Sequence, residues 1–390
     1  MKYKKIYPPS TIGILGGGQL GKMLAQEAKK MGYRVLTLDP TPNCPCAQVC
    51  DEQIVAEFRD KTQALNLAKK ADVLTYEFEN IPAETVEYLE KKEFSVFPSS
   101  KVLRLTQNRI KEKEFLRIIG ILTADFQGIK KASDLEKAFL ELGLPAVLKT
   151  ATGGYDGKGQ IVLKTKEDLE NLLEKSLFGQ ELIYEKFASF IKEISVICVR
   201  DRSGEIKTFP VSENIHRNNI LHMSIVPARI SRNAEKKAAN IAKRVTQGLG
   251  AIGTIGVEMF LLKDDLILVN EIAPRVHNSG HYTIEACHAS QFEQHIRAIC
   301  GLPLGSTELL SPAVMINILG DDLICRKDVF SWIGKVLKIK GASLHLYGKK
   351  EIRPGRKMGH ITILACSVAD ALQRAETVKN FFCPLRKKYG

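Results

Sequence analysis

No hydrophobic run in this sequence is long enough for a membrane span. The most apolar stretches, such as AIGTIGVEMFLL, are short and broken by Gly and Glu, so no transmembrane helix is expected. A signal peptide is not expected either. The start MKYKKIYPPSTIGILGGG is basic, but no apolar stretch with a small-residue cleavage site follows it. A dense, paired cysteine framework is missing as well. The nine cysteines are an odd number and scattered, which excludes a secreted disulfide scaffold and points to a reducing, cytoplasmic setting. Cys44, Cys46 and Cys50 cluster without CxxC spacing or a second ligand pair, so they read as ordinary loop thiols and not as a zinc site. Internal repeats, low-complexity segments, zinc fingers, aromatic RNA-binding patterns and basic tails are all absent. The net charge of +13 is spread along helical stretches such as AEKKAANIAKRV and interleaved with acids. That pattern describes solvated helix faces and suits anionic small substrates; no nucleic-acid partner and no membrane partner is expected.

What is present is an ordinary globular composition. With 390 residues and 44% hydrophobic content, the chain can bury the cores of two or three domains. The opening alternates TIGILGG, GQLGKMLAQEAKKMG, YRVLTLD, DKTQALNLAKKA, ADVLTYEFE, a helix begun by Pro82, and FSVFPS. This βαβαβαβ series predicts a doubly wound parallel sheet over roughly the first hundred residues. From about Thr106 the pattern becomes α+β with antiparallel sheets, including a helix for which Ser133 is the expected N-cap. The Gly-Leu-Pro-Leu-Gly stretch at 301–305 marks the boundary to a smaller tail. The expected domains are therefore 1–106, 107–305 and 306–390.

Five segments carry chemistry. Gly16-Gly17-Gly18-Gln19-Leu20-Gly21 fits G-x-G-x-x-G between strand and helix, and Asp39 ends the next strand where a ribose-binding acid would sit. Taken alone, this motif leaves three readings open: a dinucleotide, another phosphate ligand, or tight strand-to-helix packing. The second segment, KTATGGYDGKGQ from Lys149 to Gln160, runs from strand to strand and has no Gly-Lys-Ser/Thr. It reads as a phosphate-covering flap, with amides at its glycines and charge from Lys149 and Lys158.

The third is the hairpin GVEMFLLKDDLILVNE. If its turn centres on Asp264-Asp265, Glu258 and Glu271 lie opposite each other, on the face that carries Phe260, Leu262, Ile267 and Val269. Opposed carboxylates among apolar neighbours are costly unless one is protonated or a cation lies between them. Two carboxylates plus nucleotide phosphates suit Mg²⁺, with Asn270 as a neutral oxygen ligand nearby. The alternative is a frayed hairpin end with solvated glutamates. The fourth segment, APRVHNSGH from Ala273 to His281, has two histidines at i, i+4 but lacks the glutamate of a zincin. Beside a metal and phosphates it reads as an oxyanion-binding and acid/base loop. The fifth, RPGRKMGH from Arg353 to His360, is either plain basic surface or a clamp for a substrate phosphate.

Together GGGQLGKM, GGYDGKGQ, NEIAPRVHNSGHYT and RPGRKMGH resemble the ATP-grasp superfamily and, more closely, the 5-(carboxyamino)imidazole ribonucleotide synthetase family of purine biosynthesis. The resemblance spans nearly the whole chain. It implies an ATP-grasp fold, α/β and α+β, with an N-terminal doubly wound parallel-sheet (Rossmann-like) domain and a small C-terminal domain. It also implies a homodimer, and ATP with Mg²⁺ (Mn²⁺ as a substitute) as cofactors. Arg109, Lys149, the stretch Gly154, Tyr155, Asp156, Gly157, Lys158, Gly159 and Gln160, then Glu185, Lys186, Phe187, Ala188, Glu193 and His216 match the family's ATP contacts, with Asn270 and Glu271. Glu258, Glu271 and Asn270 match its metal site. Tyr155, Asp156, Lys158, Arg275, His277 and Lys357 match catalytic positions around bicarbonate and aminoimidazole ribonucleotide. Gln19, Leu20 and Glu79, with Arg275 and Lys357, match contacts to that ribonucleotide, which turns the glycine motif from dinucleotide to ribonucleotide phosphate. Asn108 departs from an Asp that often precedes the ATP-binding Arg.

The implied activity is ATP-dependent carboxylation of the aminoimidazole ribonucleotide through carboxyphosphate, with Asp156 or His277 taking the amine proton. No fused mutase domain is visible, so a separate mutase is the expected functional partner. The rival readings are a formate-using glycinamide ribonucleotide transformylase, a biotin carboxylase, a nicotinamide oxidoreductase and a nucleic-acid binder. The NSGH and RPGRKMGH segments argue against the first two.

Overall fold

The structure, a computed structural model, describes residues 4–154, 159–174, 179–324 and 331–382. The first layer alternates β1 (Thr11–Leu15), α1 (Gln19–Lys30), β2 (Arg34–Leu38), β3 (Glu52–Ile54), α2 (Lys61–Lys69), β4 (Val73–Tyr76) and α3 (Ala83–Lys91). Its strands pair in parallel in the order β3-β2-β1-β4. Ile12, Ile14, Leu15, Val35, Leu36 and Leu38 are buried, as a parallel sheet covered on both faces requires. The segment FSVFPS, expected to be a strand, contributes only a bridge between Val96 and Leu74. Pro98 lacks the N–H a ladder needs two residues on. The fourth strand is β3 instead, three residues too short to carry an alternating pattern.

Next come α4 (Ser100–Thr106), α5 (Arg109–Ile118), β5 (Phe126–Ile129), α6 (Ala132–Leu142), β6 (Ala146–Thr150), β7 (Gln160–Leu163), α7 (Lys166–Glu174) and β8 (Leu182–Lys186). Their strands form an antiparallel sheet in the order β5-β8-β6-β7. Ser133 is not the cap of α6. It lies inside the first turn, and the Asp134 carboxylate takes the N–H groups of Lys130 and Lys131 at 3.0 and 3.2 Å.

The remainder holds β9 (Lys192–Arg200), β10 (Ile206–Thr208), β11 (Ser212–Arg217), β12 (Ile220–Val226), α8 (Arg232–Leu249), β13 (Gly253–Leu261), β14 (Ile267–Ala273), α9 (Thr283–Ala286) and α10 (Gln291–Cys300). The tail adds β15 (Ala313–Leu319), α11 (Gly320–Ile324), α12 (Ile333–Leu337), β16 (Ala342–Leu346), β17 (Lys357–Leu364) and α13 (Val368–Lys379). Among the described residues these strands make one nine-stranded sheet, β14-β13-β9-β11-β12-β15-β17-β16, with β10 on β9. The expected boundary at 305 falls between α10 and β15, yet β12 and β15 pair across it. Ala234, Ala238, Ala242 and Val245 bring α8 close to this sheet, and its N-terminus is capped by Ser231, whose hydroxyl accepts the Ala234 N–H at 3.0 Å. No helix among the described residues is long and apolar enough to cross a membrane.

The first layer is tied to the rest by His295 on α10, which is wholly buried. Its Nδ1 accepts the Thr254 N–H at 3.0 Å and its Nε2 meets Thr75 Oγ1 at 2.8 Å, so one ring links β13 to β4. Burial pushes its pKa from 6.5 down to about 3. With the folded value below the unfolded one, its contribution is complete above the unfolded value and is lost as pH falls toward the folded one. Urea midpoints should therefore drop between pH 7 and pH 5 in the wild type and drop less in His295→Gln. Equal drops would show that the ring is not kept neutral in the fold.

Candidate active site

A turn at Lys263–Asp265, with Asp264 and Asp265 at φ of 57° and 55°, joins β13 to β14. Glu258 pairs directly with Glu271 as the count from Asp264-Asp265 expects, although nearer the turn the ladder runs one residue out of that count, with Leu261 opposite Ile267 and Phe260 opposite Leu268. The face around them differs from the expectation. A bulge follows, Met259 pairs with Val269, and Asn270 becomes the extra residue. The slip turns Ile267 and Val269 to the opposite side, where they pack with Met259 and Leu261 in the core. The glutamate side carries Phe260 paired with Leu268. Burial, against the opposing charge of His216 and with Glu271 and Glu193 adding to it, raises the Glu258 carboxyl to about 7. Such a pair is chemically suited to a hard divalent cation. No group of three or more His, Cys, Asp or Glu among the described residues could hold a metal. A cation between Glu258 and Glu271 would have to complete its shell with oxygens from outside these carboxylates, from water or a bound phosphate.

The residues expected around the nucleotide come from both antiparallel sheets. Lys149 on β6 donates to the buried Glu185 carboxylate of β8 at 3.0 Å. Lys186 and Phe187 are exposed and Ala188 is half-buried where the chain leaves β8. On the other sheet, Glu193 of β9 and His216 of β11 lie 3.0 Å apart. Burial alone would lower the His216 pKa, but Glu193 and Glu258 raise it overall. Arg109 braces the base of the flap: its guanidinium donates to the carbonyls of Thr150 at 2.9 Å and Gly154 at 2.8 Å. Gly159 has φ +76°, and a Cβ there would come within 3.1 Å of Thr150 Oγ1, so a larger residue just before β7 would be strained. Tyr155, Asp156, Gly157 and Lys158 lie outside the described residues. Asn108, where an Asp often stands, caps α5, its Oδ1 accepting the N–H groups of Ile110 and Lys111.

Arg275, just past β14, donates through Nε to the carboxylate of Glu79 in the first layer. Burial would raise Glu79, but Arg275 holds its pKa low, and the Arg275 charge also acts on Glu271 and Glu258. His277 stands 3.2 Å from Glu258 through Nε2, and its Nδ1 is 2.9 Å from Ser279 Oγ. Ser279 continues to Ser195 at 2.7 Å, a buried hydroxyl contact behind the ring. Burial, then the charges of Arg275 and Lys357, hold the His277 pKa well below 6.5. In the basic segment of the tail, the Lys357 charge acts on Glu79, Glu258 and His277, while Arg353 pairs with Glu351.

The glycine motif differs most from its first reading. Asp39 is not a ribose ligand: its Oδ2 accepts the Gly17 N–H at 2.8 Å and its Oδ1 the Thr41 N–H at 2.8 Å. Glu77 accepts the N–H groups of Gly18 and Gly21. The loop therefore spends three of its amides on the protein's own carboxylates. Among the described residues no acceptor reaches the amides of Gln19 and Leu20, and the Leu20 side chain is core. Cys44, Cys46 and Cys50 are free thiols packed beneath this loop, and the Cys46 N–H donates to Gly17 O at 2.8 Å. Glu77, Glu112 and Lys113 were missed by sequence reasoning. Glu112 and Lys113 stand one turn before Leu116 on the buried side of α5, and a helical period drawn through that leucine would have flagged them.

Residues 10–107 match the ribonucleotide synthetase preATP-grasp domain, 114–292 the ATP-grasp domain, and 313–374 the phosphoribosylaminoimidazole carboxylase C-terminal domain. The N5-carboxyaminoimidazole ribonucleotide synthase of Bacillus subtilis is 48% identical over 366 residues, covering 93% of this chain and 94% of that protein. An ADP complex of N5-carboxyaminoimidazole ribonucleotide synthetase superposes with a TM-score of 0.92 at 49% identity, over 97% of this chain and 98% of that one. The Aspergillus clavatus synthase bound to ADP and 5-aminoimidazole ribonucleotide gives a TM-score of 0.88 at 35% identity, over 96% of this chain and 99% of that one.

With its pKa raised from 4.5 to about 7, Glu258 binds a proton more readily folded than unfolded, so its cost appears as pH rises through that window. Glu258→Gln should stabilise the metal-free protein at pH 8 by on the order of 1–3 kcal/mol, and by less at pH 5. Thermal melting at the two pH values checks this; a destabilised variant at pH 8 would contradict it.

Proposed function

The chain belongs to the N5-carboxyaminoimidazole ribonucleotide synthase family, and from that premise we propose that it carboxylates 5-aminoimidazole ribonucleotide with bicarbonate and ATP in purine biosynthesis. It is an ATP-dependent ligase of the ATP-grasp fold. The observation that carries the reading is the meeting of Arg275 with Glu79 beside the Glu258–Glu271 pair. It brings a first-layer acid and the ATP-grasp acids to one place, as a reaction joining a phosphorylated intermediate to a ribonucleotide requires.

Bicarbonate attacks the γ-phosphate of ATP, the bond to the β-phosphate oxygen breaks, and ADP and carboxyphosphate result. Lys149 and Lys158 hold the charge of the transferred group. Mg²⁺, or Mn²⁺ in its place, held by Glu258 and Glu271 with Asn270, supplies charge neutralisation on the nucleotide phosphates. The exocyclic amine of the ribonucleotide then bonds to the carboxyl carbon, directly or after CO₂ release, and phosphate leaves. Arg275 holds the anionic intermediate, and Lys357, Glu79 and the amides of Gln19 and Leu20 hold the ribonucleotide. Both ring nitrogens of His277 face protein partners, Glu258 and Ser279. These contacts support a positioning role for His277 and favour Asp156 as the acceptor of the amine proton. Tyr155 and the flap around Gly157 cover the intermediate from water. Gly154, Gly159, Gln160, Glu185 to Ala188, Glu193 and His216 complete the nucleotide contacts. Three functional parts, 1–106, 107–305 and 306–390, a cytoplasmic location, a homodimer, and a separate mutase that takes up the unstable product complete the proposal.

ADP release measured with bicarbonate should depend on added 5-aminoimidazole ribonucleotide; release that ignores it refutes the reading. Glu271→Gln should lower turnover by roughly a hundredfold or more while melting as a folded protein. Turnover near the wild-type rate in that variant would remove Glu271 from the metal site.

A further inference from the structure

Two buried, ionisable neighbours on α5, an acid and a base, have no part in the chemistry above. Glu112 and Lys113 are each 1% exposed. Side chains that cost this much to bury persist where they hold something in place. Together with Arg109 they occupy i, i+3 and i+4, one face of the helix.

Each reaches a different half of the nucleotide site. Lys113 Nζ lies 3.5 Å from the Glu185 carboxylate oxygen that Lys149 also contacts at 3.0 Å. The same ammonium donates to Thr123 Oγ1 at 2.8 Å, and that hydroxyl donates to the Val269 carbonyl on β14 at 2.8 Å. Glu112 Oε2 accepts the Ile272 N–H at 3.2 Å, also on β14. Leu122 accepts the Val269 N–H at 2.8 Å. Because β14 is the outer strand of its sheet, its outward N–H and C=O groups need partners from elsewhere. These contacts supply them on either side of the bulge at Asn270 and Glu271.

Building on the function proposed above, we propose that Glu112 and Lys113 are positioning residues that fix the metal-binding stretch Asn270–Glu271 relative to the phosphate lysine Lys149. Glu112 pins the outer edge of the hairpin just past Glu271. Lys113 fastens the same strand, through Thr123, to the Glu185–Lys149 pair on the other sheet. The link is mechanical: neither side chain touches the reacting atoms, yet both set the span that a nucleotide and its cation must bridge.

Wild-type turnover with 5-aminoimidazole ribonucleotide tests the function; the variants test the coupling, read also by calorimetric binding of a non-hydrolysable ATP analogue, which needs no turnover. Lys113→Met should weaken analogue binding about tenfold or more, with the KM for the ribonucleotide within about twofold of wild type. Glu112→Leu should raise the magnesium concentration for half-maximal rate by about tenfold, whereas Glu112→Gln, which keeps an acceptor for Ile272, should restore most of it. Thr123→Val, which removes only the relay hydroxyl, gives the same reading as Lys113→Met should that variant not fold. Unchanged nucleotide affinity and magnesium demand in folded variants, or equal losses in Glu112→Gln and Glu112→Leu, overturn the proposal.

Discussion

Glu258 and Glu271 face each other, half-buried, across the β13–β14 hairpin, and the groups around them answer to that opposition. Arg275, just past the same hairpin, and His216 and Lys357, from segments distant in sequence, place positive charge near Glu258. Beneath the pair, the bulge at Asn270 sends Ile267 and Val269 into the core, so the strand is anchored by apolar contacts on one face while its other face stays charged. An arrangement of this kind costs the folded state stability in order to hold charge ready for a ligand, the usual compromise of an active site.

Counting from Asp264-Asp265 names the glutamate pair, but the turn itself sets a ladder one residue short of it, and the bulge at Asn270 brings Glu258 opposite Glu271. The bulge was not legible, since one inserted residue leaves the composition of the strand unchanged. For the same reason the face assigned to Ile267 and Val269 was inverted while the pairing of Glu258 with Glu271 was right. Long elements such as α8 and α10 declared themselves through helical periodicity. The strand Glu52–Ile54 is too short to show any period, and FSVFPS has strand composition but a proline that ends its ladder.

Contacts that are distant in sequence were beyond pattern reading. Arg275 and Glu79 are 196 positions apart, and only family resemblance put both in one pocket. The glycine motif shows the opposite case. Its local pattern suggested an open phosphate cradle, but Glu77, 59 residues from Gly18, occupies the amides that such a cradle would offer. Local rules report what a loop can bind; the rest of the chain decides whether its donors are still available.

The pairing of β12 with β15 carries the antiparallel sheet from the ATP-grasp segment into the C-terminal segment without a break. Family borders near residue 313 are thus borders of recognisable sequence, drawn through the middle of a hydrogen-bonded sheet. If the tail were removed, β12 would become an unpaired edge rich in buried apolar side chains, a template for pairing with other chains. The C-terminal part supplies three of the nine strands of that sheet and is joined to the rest by main-chain hydrogen bonds, so its removal would open the sheet and not merely shorten the chain.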